Sequence, residues 1–237
     1  MEDADEELPE GVHHYESADE VPFEISKYWH QRRSIFSKYD EGVWMTDDVW
    51  FGVTPEPVAN KIAEHVATAP KSKTCIIDAF AGAGGNSIAF ALSGRWEQIF
   101  AVEMDSKVIA CGKHNAEVYG VANRIWWIEG DCFEMLGARL KGLTKNTVVF
   151  GSPPWGGPSY TDAEVFDLTM MQPYPLKDMY TPFTHGGRSA VLFLPRTSDL
   201  RQLARRVDDD ETLKVTHYCM NGASKGLCAF FGDFAFE

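Results

Sequence analysis

The polar and apolar pattern changes character near residue 74. Beyond it, short apolar runs alternate with longer stretches whose apolar positions recur at three- and four-residue steps. The runs at 74–80, 98–102, 124–129, 147–150 and 189–194 read as buried strands, and the stretches 84–92, 106–119, 133–140 and 198–207 as helices. Alternation of this kind predicts an α/β fold: a mostly parallel sheet with helices on both faces. The last two apolar runs, 214–219 and 228–234, have no helix between them. Asn221-Gly222 and Gly226 supply turn chemistry there, so these runs predict an antiparallel hairpin that brings the sheet to seven strands.

Ahead of residue 74 the pattern is helical. Residues 23–39 read as one helix, with apolar Tyr28, Trp29, Ile35 and Phe36 and basic Lys27, Arg32, Arg33 and Lys38. Residues 40–54 read as a loop rich in aromatics (Trp44, Trp50, Phe51). Thr54, Pro55 and Glu56 then read as the cap and first turn of a helix over 55–67. Charge changes the picture at the start of the chain. Residues 1–24 hold ten acids and no Lys or Arg, while the rest carries 25 acids against 22 bases. The net charge of −13 is therefore largely a property of the first segment, which is expected to be disordered. A local basic patch behind it stays compatible with a nucleic-acid partner. The expected division is an acidic tail over 1–22, a helical extension over 23–70 and an α/β domain over 71–237.

The five cysteines, Cys75, Cys111, Cys132, Cys219 and Cys228, are irregularly spaced and form no C-x-x-C. That argues against a disulfide framework and a structural metal site, and for a reducing compartment. No segment has the length and apolarity of a bilayer span, so no membrane partner is expected.

Candidate chemistry gathers at the strand ends. The first strand runs into Asp78-Ala79-Phe80-Ala81-Gly82-Ala83-Gly84-Gly85-Asn86. Such a turn lets a ligand approach the backbone closely. Its third glycine comes too early for the dinucleotide fingerprint, and Asp78 suits a cationic or amino-acid-bearing ligand better than a pyrophosphate. The second strand ends at Glu103, where a carboxylate can take both hydroxyls of a ribose, with Asp105 close enough to compete. The third is followed by Asp131, where an adenine edge could lie. The fourth ends in Gly151-Ser152-Pro153-Pro154-Trp155-Gly156-Gly157-Pro158, a stiff turn that cannot continue the strand and carries one large aromatic off its end. Arg196 follows the fifth strand at a ligand-facing position.

Residues 74–151 resemble the cofactor-binding half of the Rossmann-like class I methyltransferases that use S-adenosylmethionine. That resemblance implies Asp78, Ala79 and Gly82 beside the aminoacyl group, Glu103 on the ribose and Asp131 on the adenine amino group. Ser152-Pro153-Pro154-Trp155 resembles the motif of amino-group methyltransferases. An exocyclic amine is a poor nucleophile until acceptors draw its hydrogens aside. Ser152 and the Pro153 carbonyl are placed to do that, and Trp155 to stack on the base.

Three further stretches narrow the resemblance to the RNA cap guanine-N2 methyltransferases, the trimethylguanosine synthases: Lys27-Tyr28-Trp29, the run from Phe51 through Glu56, and the run from Asn115 through Gly120. The resemblance implies two methyl transfers to N2 of the 7-methylguanosine cap of small nuclear and nucleolar RNAs. It implies Ser152 and Pro154 framing N2, and Trp155 reading the cation of the methylated base. Tyr160 and Asn115 would lie at the cap, Lys27 and Arg196 at the triphosphate, and Phe36 and Thr54 over cofactor and cap. It further implies a monomer with small ribonucleoprotein partners, in the nucleus, the nucleolus or related bodies, or the cytoplasm. On residues alone two alternatives stay open. One is another base-amino methyltransferase, acting on adenine N6 or ribosomal guanine N2; the other is a catalytically silent cap- or RNA-binding module.

Overall fold

The computed structural model describes residues 8–156, 164–208 and 213–236. Seven strands form one sheet: β1 (Cys75–Asp78), β2 (Gln98–Glu103), β3 (Ile125–Glu129), β4 (Thr147–Gly151), β5 (Ser189–Leu194), β6 (Lys214–Met220) and β7 (Ala223–Phe231). Their order is β3-β2-β1-β4-β5-β7-β6. Strands β1 to β5 pair in parallel, and β7 is antiparallel to both β5 and β6. This is the expected architecture of a parallel sheet closed by an antiparallel hairpin. Strands β1, β4 and β5 are buried at every residue, as central strands covered on both faces must be.

Alternate strand residues feed two cores. Ile76, Val148, Phe150, Val191 and Phe193 face one core, shared with α3 (Glu56–Val66), α4 (Gly85–Leu92) and α5 (Ser106–Val118). Ile77, Val149, Leu192 and Leu194 face the other, shared with α6 (Cys132–Gly137), α7 (Leu176–Thr184) and α8 (Leu200–Ala204). Three of the helices that cover the sheet start at a side-chain acceptor. Asp105, Asp131 and Asp199 each accept a backbone N–H from the first turn of α5, α6 and α8.

Several expectations need correction. The stretch 23–39 is not one helix but two single turns, α1 (Ser26–Trp29) and α2 (Arg32–Ile35), followed by a 3-10 turn over Tyr39–Glu41. Its aromatics are drawn into different contacts. Trp29 Nε1 donates to the Tyr15 carbonyl at 3.0 Å, the Arg32 guanidinium lies 3.7 Å over the Trp29 ring, and Phe36 leaves α2 in an extended conformation.

Nor is the segment from residue 8 to 22 a disordered tail. Val12 and Tyr15 are buried, His13 pairs with Met45 in an antiparallel bridge, and the Tyr15 hydroxyl donates to Asp47 at 2.8 Å. The acids face outward while the residues between them hold the segment down. Residues 1–7 lie outside the described residues. Thr54 does not cap α3: Pro55 holds the cap position, and the Thr54 hydroxyl accepts from Asn86 Nδ2 at 3.1 Å. Helix α7, which starts after Pro175 and carries Pro182 inside it, lies in a stretch where no element was expected.

One close approach governs how α5 meets the sheet. A Cβ at Gly112 would lie 2.1 Å from the Trp127 ring, so the indole fills the place of the missing side chain. Gly112→Val is expected to destabilise the protein by about 3 kcal/mol, at the upper end of overpacking costs. In a thermal melt that is a fall of roughly 6–12 °C. Gly142→Ala, where nothing lies within 4 Å, should leave the melt unchanged.

Candidate active site

Parallel order turns at β1, which pairs with β2 on one side and β4 on the other. In open α/β sheets the crevice at such a switch point is where ligands bind. Here the glycine turn leaves β1 and the Ser152-Pro153-Pro154-Trp155 turn leaves β4, with Asp78 paired to Phe150 and the Ala79 N–H donating to the Phe150 carbonyl at 2.8 Å. The remaining candidates fall in register along the same edge. Asp131 follows β3, Glu103 ends β2 and Arg196 follows β5. Adjacent strands lie about 4.8 Å apart, so the five positions span roughly 19 Å.

Asp78 is wholly buried. Its Oδ2 accepts from the Ser87 hydroxyl at 2.7 Å, while Oδ1 is buried without a hydrogen-bond partner among the described residues. Burial pushes this carboxyl up to about 7, against the opposing pull of the Ser87 hydroxyl. An orphaned buried carboxylate oxygen is costly unless a ligand donor meets it. The ammonium of an aminoacyl ligand has that chemistry. Gly82 adopts φ +54° with open space where a Cβ would point, leaving the backbone approachable. The residues present therefore fit S-adenosylmethionine.

Of the two competing acids, Asp105 is occupied as the cap of α5, accepting from the Lys107 N–H at 2.8 Å. Glu103 faces the glycine turn: its Oε2 accepts from the Gly82 N–H at 3.0 Å, and Oε1 from the Met104 N–H at 2.8 Å. Asp131 caps α6 through Oδ1. Phe36 and Thr54 pack close to the glycine turn; a Cβ at Gly85 would be 3.5 Å from the Thr54 carbonyl and 4.0 Å from the Phe36 ring. The Phe36 segment is clamped there by Glu56, which accepts from the Ser37 N–H and hydroxyl and from the Tyr119 hydroxyl.

At the β4 turn Pro153 is buried, Ser152 and Trp155 are half-buried and Pro154 is exposed. Trp155 Nε1 donates to the Phe193 carbonyl at 3.3 Å, and its ring tilts against Phe193 at 5.6 Å. Arg196 and Lys27 are exposed, and the Lys27 ammonium rests 4.7 Å over the neighbouring Tyr28 ring.

The placement of Asn115 at the cap needs correction. It has no exposed surface, its Oδ1 accepts from the Trp44 N–H at 2.7 Å, and its Nδ2 donates to the Trp44 and Ala83 carbonyls at 3.0 Å. It ties the loop of the extension to the glycine turn instead. Tyr160 lies outside the described residues. Sequence reasoning missed Asn86, whose buried Oδ1 has no hydrogen-bond partner among the described residues and which sits directly after the glycines, and Tyr174, flanked by two prolines.

The comparisons agree with this geometry. Residues 73–234 match the family model described as RNA cap guanine-N2 methyltransferase. The chain is 36% identical over 212 residues to the trimethylguanosine synthase of Schizosaccharomyces pombe, covering 89% of this chain and 87% of that protein. It is also 36% identical over 219 residues to the trimethylguanosine synthase of Saccharomyces cerevisiae, covering 90% and 69%. Among solved structures, a putative methyltransferase from Porphyromonas gingivalis shares the fold with a TM-score of 0.62 at 15% identity, covering 92% of this chain and 55% of that one. The human methyltransferase 10 domain containing protein shares it with a TM-score of 0.58 at 12% identity, covering 87% and 97%. A family model spanning most of the chain and relatives at this identity leave one conclusion: the chain belongs to the RNA cap guanine-N2 methyltransferases.

Proposed function

We propose that this chain converts the 7-methylguanosine caps of small nuclear and nucleolar RNAs to 2,2,7-trimethylguanosine by two successive methyl transfers to N2. The activity class, an S-adenosylmethionine-dependent cap guanine-N2 methyltransferase acting on capped RNA, follows from the family. The sequence-level alternatives, an adenine or ribosomal-guanine methyltransferase and a silent binding module, have no observation in their favour. The relatives' name, trimethylguanosine synthase, supports the trimethylguanosine product, and the small nuclear and nucleolar RNAs are carried over from the family resemblance. We place the reaction in the nucleus, including nucleolar or related bodies. Five free thiols, four of them buried, suit such a reducing compartment.

The observation that carries the mechanism is the adjacency of the β1 and β4 turns. Bound S-adenosylmethionine supplies a methyl group on a sulfonium centre. The work of the chain is to bring the guanine amine to it in line, the kind of positioning that lowers a barrier most cheaply. Prolines 153 and 154 fix the turn and supply no N–H, so the acceptors offered to the amine are the Ser152 hydroxyl and the Pro153 carbonyl. Trp155 stacks on the base. A 7-methylguanine carries a delocalised positive charge, which adds a cation–π attraction of roughly 0.5–2 kcal/mol over plain guanine. Arg196 and Lys27 meet the triphosphate. The attacking amine becomes more acidic as it is methylated, so its proton leaves late to water and no side chain is assigned as a strong base.

Incubating 7-methylguanosine diphosphate with enzyme and S-adenosylmethionine should give products one and two methyl groups heavier by mass. Trp155→Ala should lower kcat/KM for that substrate by about 100-fold, the loss of one base stack and its cation–π component. Binding of S-adenosylhomocysteine should change less than about threefold, no more than the low end of what one hydrogen bond is worth. Normal methylation by this variant would remove Trp155 from the cap site.

Asp78 sets a pH dependence. Its folded pKa of about 7 lies above the ordinary carboxylate value. The cofactor-free protein is therefore most favoured with Asp78 protonated, and that contribution is lost as pH rises through 7. A cationic ligand needs the ionised form. Affinity for S-adenosylhomocysteine should approach a tenfold rise per pH unit below about pH 6, rise less steeply through pH 7 and level off above it. Asp78→Asn should flatten this profile in calorimetric titrations.

A further inference from the structure

Asp131 has a partner that the expected cofactor contacts do not include. Its Oδ1 accepts the Phe133 and Glu134 N–H groups at 2.8 and 3.1 Å, and its Oδ2 accepts the Tyr174 hydroxyl at 3.1 Å. A carboxylate offers about four lone-pair sites. Three are taken, so Tyr174 decides which direction stays open on Oδ2. The tyrosine is itself held firmly. Its ring meets Phe133 edge-on at 4.9 Å and packs against Phe80 at 5.8 Å. Pro173 and Pro175 flank it, and Pro175 stands at the cap of α7. The hydroxyl also lies 3.9 Å from the sulfur of Met104, which directly follows Glu103 and is 61% exposed. Two residues before Tyr174, the Cβ of Gln172 lies 3.7 Å from where a Cβ at Gly156 would be. Tyr174 thus sits on a stiff segment that touches the β4 turn at one end and the Asp131 carboxylate at the other.

We infer that Tyr174 is a positioning residue for the cofactor: its hydroxyl fixes the Asp131 carboxylate so that the remaining lone pair of Oδ2 meets the amino group of adenine and rejects a carbonyl in its place. The inference rests on the reading of Asp131 as the adenine acceptor. It explains why a tyrosine hydroxyl is spent on a helix-capping acid that already has two backbone donors. A residue present only to pack would need the ring and not the hydroxyl.

The test compares S-adenosylhomocysteine with S-inosylhomocysteine, whose base presents a carbonyl where adenine has its amine, by calorimetric titration of the full chain. The unaltered protein should prefer the adenine compound. Tyr174→Phe keeps the ring, so the protein should stay folded with a melting temperature lowered by no more than several degrees, and its KM for capped substrate should not move. The variant should bind S-adenosylhomocysteine roughly 3–10-fold more weakly, about the net worth of one ordinary hydrogen bond, because the Asp131 carboxylate is no longer held in place. It should bind the inosine compound as before or better, so discrimination between the two narrows, and kcat at saturating cofactor should hold. Equal weakening for both compounds, or no change for either, would overturn the assignment and leave Tyr174 as packing alone. If the unaltered protein binds the two compounds equally, the Asp131 reading itself fails, a result distinguishable from failure of the tyrosine's role.

Discussion

The pairing of β1 with β4 is the constraint on which the rest depends. Because these two strands lie side by side in parallel, the turns that leave them are neighbours at one end of the sheet. One turn is flexible glycine-rich backbone over a buried acid, and the other is stiff proline backbone bearing a tryptophan. A methyl donor and a methyl acceptor need that neighbourhood. The parallel register then sets out the other groups in order: Asp131, Glu103, the glycine turn, the proline turn and Arg196. On the reading proposed above, this is the order adenine, ribose, aminoacyl group, base and phosphate. A linear ligand pair laid across five strands needs no groove other than the strand ends.

Much of this was legible in the sequence, and the reason is physical. Strands such as 147–150 and 189–194 are continuous apolar runs because both faces are covered, and the glycine and proline turns are forced by backbone chemistry. What was not legible depends on tertiary contacts. The apolar spacing over 23–39 suits a helix, but Trp29 and Phe36 are bound into separate contacts with Tyr15 and the glycine turn, and the helix breaks between them. The acidic composition of the first segment hid Val12 and Tyr15, whose burial pins it. Helix α7 went unread, although Pro175 only precedes its first turn and Pro182 lies in its last. Asn115 carried a correct signal, a polar residue needed near the site, with the wrong recipient. Its amide is satisfied by the backbone of Trp44 and Ala83 rather than by a ligand. Tyr174 carried no sequence signal, since only the fold brings it to Asp131.

The same amide has a wider meaning. Asn115 belongs to α5 within the sheet domain, Trp44 to the extension, and the His114 ring stacks flat on the Trp44 indole at 3.8 Å. Tyr15, Trp29, Phe36 and Trp50 share one apolar core with Ile76 and Phe150 of the sheet. The stretch that matches the family model begins at residue 73, yet its edge is not an edge of the folded body. A chain cut there would strip one face of α4 and α5 and bare an apolar surface of the sort that drives self-association. The extension and the family-matched stretch are one folded body, and neither can be cut away without laying open the core they share.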